Sequence, residues 1–171
     1  MEKCMVKYYL DYFESLPTRA KELLFEEEAI TEDIMFYIEE EGQNIKSPIE
    51  IVLFTALYIF KLKNKLNFFL ETQKEIKIDN KKYIADFYIE YDKLLNFFLK
   101  KDFKLIIECD GFEYHHNNKE QVNYDYEREN NLKLNGYDII RFTGSQIYND
   151  PMKCVYQIIS YIKSKGVKKK K

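Results

Sequence analysis

The stretch Phe103–Gly111, FKLIIECDG, decides how this chain of 171 residues is expected to fold. Its apolar run, residues 103–109, predicts a strand that is buried on both faces and therefore lies inside a sheet. Glu108 and Asp110 come at the end of this run, and side chains two positions apart on a strand point to the same face. The stretch therefore predicts a central strand that presents two carboxylates together at its end.

A β-hairpin is predicted before this strand. Residues 68–78 and 82–91 are rich in aromatic and β-branched residues, and the turn Asp79-Asn80-Lys81 joins them. Asp86 lies in the middle of the second strand of this hairpin. Hairpin pairing places Gln73 of the first strand beside the strand of Asp86, and the alternative is that Gln73 is only a polar group on the face of the sheet.

The segments after the central strand continue an α/β pattern. Residues 117–135 predict a helix that ends at Asn135-Gly136, residues 137–142 a fourth strand, and residues 150–164 an amphipathic helix. The segment 92–101 either extends the hairpin or forms an apolar loop, and the sequence leaves both possibilities open.

The helix before the hairpin is expected to be buried. Ser47 suits an N-cap, Pro48 suits the first helical position, and Glu50 stands where a capping box places its glutamate. The residues that follow, 49–60, are apolar nearly all round the helix. Together the elements predict an α/β sandwich with a mixed sheet of four or more strands, flanked by helices.

Composition excludes several classes of protein. Apolar residues make up 46% of the chain and charged residues 33%, which supports a buried core and argues against disorder. A run of about 18 uncharged apolar residues is absent from the sequence, so no membrane span is expected. The three cysteines are far apart and form no C-x-x-C pair, which excludes a disulfide framework or a cysteine-rich zinc site. We expect a soluble protein of a reducing compartment, the cytoplasm.

Charge is distributed unevenly along the chain. Residues 1–46 hold 12 acids and 5 bases, whereas residues 47–171 hold 17 acids and 22 bases, six of them in the last nine residues. We therefore expect a helical, acidic extension (1–46), a main domain (47–164) and a basic tail (165–171). The extension is expected either to complete the core, to cover the cleft of the main domain, or to bind a protein partner.

Three carboxylates predict a metal site. Asp86, Glu108 and Asp110 lie on apolar strands, where a carboxylate is costly unless a cation is near. Hard oxygen ligands suit Mg²⁺ or Mn²⁺. The alternative is that Asp110 belongs to a turn with Gly111 and that Glu108 pairs with a lysine.

Other polar residues allow two interpretations each. Glu50 either serves the capping box alone or also reaches the metal pocket. His115, which with His116 makes up the histidines of the chain, is either structural or a base near the acids. Arg128 forms a surface ion pair with Asp125 or contacts phosphate. Arg141, at the end of the fourth strand, pairs with a carboxylate or meets phosphate.

The joint order of these motifs resembles the PD-(D/E)XK nuclease superfamily. Within it, the pattern is most similar to the branch of very-short-patch repair endonucleases and the uncharacterised domains like them. The stretches that carry the resemblance are SPIEIVLFTAL, ETQKEIKIDNKKYIADFYI, LIIECDGFEYH and YDYERENNLKLNGYDIIRFTGSQIY, from residue 47 to about 162. It implies a restriction-endonuclease-like sandwich.

The resemblance also implies roles for single residues. Asp86 matches the first metal-binding aspartate, Glu108 the second acidic ligand, and Glu50 the accessory helix glutamate. With them, the backbone carbonyl of Cys109 and the Asp110 carboxylate are expected at the metal. His115 matches the histidine that activates water in the repair branch.

The chain departs from the superfamily at one central position. Asp110 stands where the motif lysine is expected, two residues after Glu108. We expect His115 to substitute for this lysine, ahead of Lys119 or Gln73. The zinc-binding residues of the repair enzymes are absent from the sequence, so mismatch specificity is not implied.

The expected activity is hydrolysis of phosphodiester bonds with Mg²⁺ or Mn²⁺, in nucleic acid and above all in DNA. Contacts to nucleic acid are expected from Gln73, Lys119, Arg128 and Arg141. One alternative is a catalytically degenerate nuclease fold that binds nucleic acid or a protein partner. Another is an RNA-cleaving defence or toxin nuclease.

Overall fold

The structure is a computed structural model that describes residues 12–29, 31–45, 47–66, 68–91, 103–111 and 119–166, the side chains at 32, 91 and 119–121 excepted. Residues 12–15 are helical. The helices after them are α1 (Thr18–Glu26), α2 (Glu32–Gly42), α3 (Pro48–Lys63), α4 (Lys119–Leu134), α5 (Gly144–Asn149) and α6 (Pro151–Gly166). The strands are β1 (Phe69–Ile78), β2 (Lys81–Tyr91), β3 (Phe103–Asp110) and β4 (Tyr137–Thr143). The predicted α/β architecture is confirmed.

The strands form one mixed sheet in the order β1-β2-β3-β4. β2 pairs with β1 and with β3 in antiparallel fashion, whereas β3 and β4 are parallel. The crossover between β3 and β4 contains α4, because parallel neighbours need a long connection. The prediction that residues 103–109 form an interior strand is confirmed, since Leu105, Ile106 and Ile107 are fully buried.

Each face of the sheet carries its own apolar core. The larger core joins Leu105 and Ile107 of β3 to helices α3 and α6. The smaller core joins Ile106 of β3 to Leu132 of α4. Successive side chains of a strand point to opposite faces, which is why neighbours on β3 belong to different cores.

The strand β2 changes faces halfway along its length. Phe87 and Ile89 belong to the larger core, whereas Tyr83 and Ala85 belong to the smaller one. An unbroken strand would place all four on one face, because they are two residues apart. The alternation therefore breaks at Asp86.

The alternation of side chains between the two faces is also interrupted in β1, at the level of Asp86. It changes cores between Leu70 and Ile76. Gln73, midway between these residues, has a left-handed φ of 51°, which residues other than glycine rarely adopt. The register of β1 with β2 is the same on both sides of Gln73. The side chains of β1 therefore change faces at Gln73, although neither strand has an inserted residue there. We call this change a reversal of the pleat.

The helices before α3 pack into the larger core. Ala20, Leu23 and Leu24 of α1 and Ile38 of α2 are buried in the same cluster as the residues of α3. Thr31 caps α2 by accepting a hydrogen bond from the backbone N–H of Ile34. These helices therefore help to complete the core. The domain boundary at residue 46, the covering of the cleft and the protein partner stay predictions.

Two local predictions are corrected by the structure. The predicted capping box at α3 is wrong, since within the described residues the Ser47 side chain makes no capping hydrogen bond. The Ser47 side chain instead lies near the Glu50 carboxylate and lowers its pKa. The helix α5 was not expected, and the capping box of Thr143 and Gln146 begins it.

Several expectations concern parts of the chain that the structure leaves out. His115, His116, the segment 92–101 and residues 167–171 lie outside the described residues, and so does the side chain of Lys119. The final helix runs to Gly166, two residues into the predicted basic tail. Among the residues that are described, no helix is long and apolar enough to cross a membrane.

Candidate active site

The Asp86 carboxylate connects the two central strands. Its Oδ2 accepts a hydrogen bond of 2.7 Å from the backbone N–H of Cys109. The ladder between β2 and β3 ends one step earlier, at Phe87 and Ile107, so this side chain takes over where backbone pairing stops. The contact holds Asp86 beside the acidic end of β3, as the sequence predicted for the two strands.

Glu108 is held by an arginine of α4. Arg128 Nη2 donates to Glu108 Oε1 at 2.7 Å, and Arg128 Nη1 donates to Glu108 Oε2 at 3.3 Å. Both side chains are only 11% exposed. Arg128 Nη2 also donates to the Ile84 carbonyl at 3.0 Å. The cation beside Glu108 is thus an arginine, not a lysine.

Glu50 reaches the same region from the start of α3. Its Oε2 accepts a hydrogen bond of 2.8 Å from Gln73 Nε2. The reversed pleat at Gln73 gives this amide its position, and the register places Gln73 opposite Asp86. An open cavity of about 620 Å³ lies between these elements, and its lining includes Asn44, Ser47, Glu50, Gln73 and Asp86. Glu50 therefore does more than serve the helix start.

The outer end of the acidic strand contacts a second arginine. Arg141 of β4 lies beside Glu108 in the parallel ladder. Its Nη1 is 4.0 Å from Asp110 Oδ1, and its Nη2 is 3.5 Å from Glu129 Oε2. The expectation that Arg141 pairs with a carboxylate is confirmed. Asp110 is half-buried at the strand end, next to Gly111.

Burial raises the pKa of every carboxyl group in this cluster. Desolvation is the largest cause at Asp86, Glu108 and Asp110, and the nearby arginines lower the pKa of each without cancelling the effect of burial. At Glu50, desolvation and the charge of Asp86 raise the pKa to about 7, while hydrogen bonds from Ser47 and Gln73 lower it. Among the described residues, the two arginines compensate the burial of these four carboxyl groups only in part.

The thiol of Cys109 takes no part in this chemistry. The side chain packs against the larger core, on the opposite side of β3 from Glu108. Burial and the neighbouring carboxylates raise the pKa of the Cys109 thiol far above its usual range. A thiolate nucleophile at this position is therefore disfavoured.

The carboxylates do not form a ready-made metal site. Across the described ranges, no three side chains of histidine, cysteine, aspartate or glutamate are arranged so that they could hold a metal ion. The orientation of Glu108 toward Arg128 gives one physical reason. The donor chemistry nevertheless fits a hard divalent cation, because the groups are carboxylate and carbonyl oxygens that carry excess negative charge.

The structure brings together most of the residues singled out from the sequence. Asp86, Glu108 and Asp110 lie at one end of the sheet with Arg141, and Glu50 and Gln73 line the adjoining cavity. The sequence did not indicate Asn44, Ser47 or Glu129 as neighbours of the site, and its patterns carry no signal for them. Arg128 was indicated as a phosphate contact or a partner of Asp125, and the sequence carries no signal for its pairing with Glu108.

A family of known proteins matches most of this architecture. The model of the restriction endonuclease-like family REase_MTES_1575 matches residues 68–162, which is more than half of the chain. The match spans β1 to α6 and includes Asp86, Glu108 and Arg128, whereas Glu50 lies before it. No curated protein and no solved structure matches the chain.

Proposed function

Because this chain belongs to the restriction endonuclease-like family, we propose that it is a metal-dependent endonuclease that hydrolyses phosphodiester bonds, with DNA as its main substrate. Family membership indicates nuclease activity in general. The dependence on metal and the choice of DNA are our proposal. The similarity to the very-short-patch repair branch stays a prediction.

The placement of four partly buried carboxyl groups close together is the observation that supports a metal ion most directly. Glu50, Asp86, Glu108 and Asp110 have raised pKa values, although two arginines lie among them. A site that served only to stabilise the fold gains little from several partly buried acids, since such groups are costly without full compensation. A divalent cation would supply the missing positive charge.

The ion would be held by Asp86, Glu108 and the carbonyl of Cys109, with Asp110 close by and Glu50 in support. When bound, it would polarise a phosphoryl oxygen and lower the pKa of a water molecule. The bond from the Cys109 N–H to Asp86 keeps that carboxylate at the strand end. The bond from Gln73 keeps Glu50 turned toward Asp86.

The protein itself would contribute positive charge around the scissile phosphate. Arg141 lies beside Asp110 at the strand end, where a guanidinium suits contact with a phosphate. Glu50, with a pKa of about 7, exchanges a proton in the physiological range. His115 and Lys119 stay predicted contributors to water activation and substrate contact.

The test is cleavage of plasmid DNA, single-stranded DNA and RNA by the full chain with EDTA, Mg²⁺ or Mn²⁺. We expect cutting of DNA that requires the metal and that leaves a 5′-phosphate and a 3′-hydroxyl. Cutting that persists in EDTA would overturn the metal dependence. Cutting confined to RNA would replace DNA by RNA as the substrate.

A second candidate is a nuclease fold that binds nucleic acid or a protein partner without cutting. The bidentate pair of Arg128 and Glu108 favours it, because the pair already neutralises one of the expected metal ligands. The two candidates differ in metal binding. A chain that binds neither Mg²⁺ nor Mn²⁺ and cuts none of the three substrates would be such a module.

A further inference from the structure

We propose that Arg128 is a resident counter-cation of the metal site. It pairs with Glu108 in the metal-free protein, and Glu108 exchanges Arg128 for the divalent ion when the ion binds. The exchange frees the guanidinium to meet a substrate phosphate. This inference rests on the proposed function, because it presupposes a metal ion at Glu108.

The geometry of the pair makes Arg128 and a metal ion competitors. Arg128 contacts both carboxylate oxygens of Glu108, at 2.7 and 3.3 Å. A divalent cation on the same carboxylate would lie next to the guanidinium in a place where both side chains are largely shielded from water. Repulsion between the two cations is much stronger there than in bulk solvent. Glu108 therefore cannot serve both at full strength.

A second contact keeps the released guanidinium near the site. Arg128 Nη2 also donates to the Ile84 carbonyl at 3.0 Å. Ile84 is 51% exposed on β2, two residues from Asp86, so this anchor lies at the rim of the site. When Glu108 turns to the ion, this contact would keep Arg128 near Asp86. A planar fork of donors in this position suits a phosphate.

The alternative is that the pair only stabilises the fold. A purely structural pair would remain intact when the site is loaded, and it would affect metal binding little. A buried pair is also weak support for stability, since apolar residues often serve as well. The pair includes Glu108, one of the two main predicted metal ligands, and this indicates that Arg128 is exchanged for the metal ion.

The sequence provides a direct spectroscopic test. The chain has three arginines, Arg19, Arg128 and Arg141, so the full-length protein labelled with ¹⁵N-arginine gives three guanidinium signals. Mg²⁺ is added to this sample and to a uniformly ¹⁵N-labelled one, in which the backbone amide shifts of Cys109 and Asp110 report on binding. We expect the Arg128 guanidinium to shift and its NH₂ groups to rotate faster. Arg19 pairs with Glu22 and Glu26 on α1, and its signal should not change.

A variant gives an independent reading by calorimetry. Arg128→Met should raise the affinity for Mn²⁺ on the order of tenfold, since a competitor is removed. Arg19→Met, the matched control, should leave that affinity unchanged. If Arg128→Met does not fold, the spectroscopic test on the wild-type chain still decides.

The outcomes separate this inference from the proposed function. If Mg²⁺ binds and the Arg128 signals stay as they were, the exchange is wrong and the metal-dependent nuclease stands. If neither the wild type nor Arg128→Met binds a divalent ion, both proposals fall. If only the variant binds the ion, Arg128 excludes the ion from the wild-type site, and both the exchange and the metal-dependent nuclease are overturned.

Discussion

Gln73 lies directly opposite Asp86, and the ladder between their strands continues in the same register on either side of them. Gln73 has a φ of 51°, and its amide binds Glu50. The strand pair thus reverses its pleat at the one level where it presents polar groups to the site. A left-handed residue inside a strand stores conformational energy, of order 1–3 kcal/mol, that the surroundings must sustain.

This backbone conformation gives the first prediction. Gln73→Gly and Gln73→Ala both remove the bond to Glu50, but only glycine accepts a positive φ without cost. We expect the glycine variant to be the more stable of the two by about 1 kcal/mol. Urea unfolding measures the difference. A regular strand position would show the opposite order, since glycine weakens ordinary strands.

The second prediction concerns Asp86. Asp86→Asn keeps an acceptor for the Cys109 N–H but removes the charge, so we expect metal-dependent cleavage to fall by at least about 10³-fold. Circular dichroism should show an unchanged fold. Asp138→Asn is the control, because Asp138 lies at the far end of β4 and pairs with Lys165. Normal cutting by Asp86→Asn would remove Asp86 from the active site.

The third prediction follows from the raised pKa of Glu50. Between its ordinary pKa of 4.5 and its folded pKa of about 7, the folded protein binds the Glu50 proton more tightly than the unfolded protein does. The associated stability is present below pH 4.5 and is lost as the pH rises to 7. Glu50→Gln should remove this loss.

We therefore expect Glu50→Gln to be more stable than the wild type at pH 8 and no more stable than it at pH 4.5. The pKa difference corresponds to roughly 3 kcal/mol, and solvent screening at a half-buried side chain reduces the expected gain to about 1 kcal/mol. Thermal unfolding at several pH values measures it. The exposed Glu40 provides the control Glu40→Gln, and equal pH slopes for wild type and Glu50→Gln would refute the prediction.

The fourth prediction is a double-mutant cycle on the buried ion pair. Arg128→Met leaves Glu108 buried without this partner and should lower the free energy of unfolding by about 3 kcal/mol. Adding Glu108→Gln removes the uncompensated charge and should restore about 2 kcal/mol of it. Chemical denaturation of the four proteins gives the coupling energy. Additive losses would mean that the two side chains do not stabilise each other.

The fifth prediction tests whether the helices before α3 belong to one cooperative core. Leu23→Ala opens a cavity at a residue that is 1% exposed and should cost about 2–5 kcal/mol. Leu134→Ala is the matched control, because Leu134 is 84% exposed. Both are measured by urea unfolding. A separate, early transition in Leu23→Ala would show that the helices melt independently.

The helices and strands around the site could be predicted well, because the signals for them are short, local patterns in the sequence. The apolar run of residues 103–109 can be buried only in the interior of a sheet, and β3 lies there. The turn after Ile78 predicted the hairpin, although Lys81 pairs with Ile78 and the turn is one residue shorter than expected. Gln73 came close to the strand of Asp86 because hairpin register is a local property.

The pairing of Arg128 with Glu108 was beyond such reasoning. The two residues are 20 positions apart, and their contact depends on how α4 packs across the sheet, which no short pattern contains. The left-handed backbone of Gln73 has no signature either, since its neighbours read as an ordinary strand. The helix α5 is different, because the Thr143-x-x-Gln146 spacing is a capping-box signal that could have been used.

The reversal of the pleat at Gln73 and Asp86 divides the hairpin into two structural modules. Within the described part of the chain, the tip, with Tyr83 and Ala85, packs on the smaller core, while the base packs on both cores. Each strand of the tip can thus gain or lose two residues during evolution without changing which face the side chains of the base point to. The insertion or deletion of one residue between base and tip would turn the apolar side chains of the tip to the other face of the sheet. Family members should therefore vary in tip length in even steps.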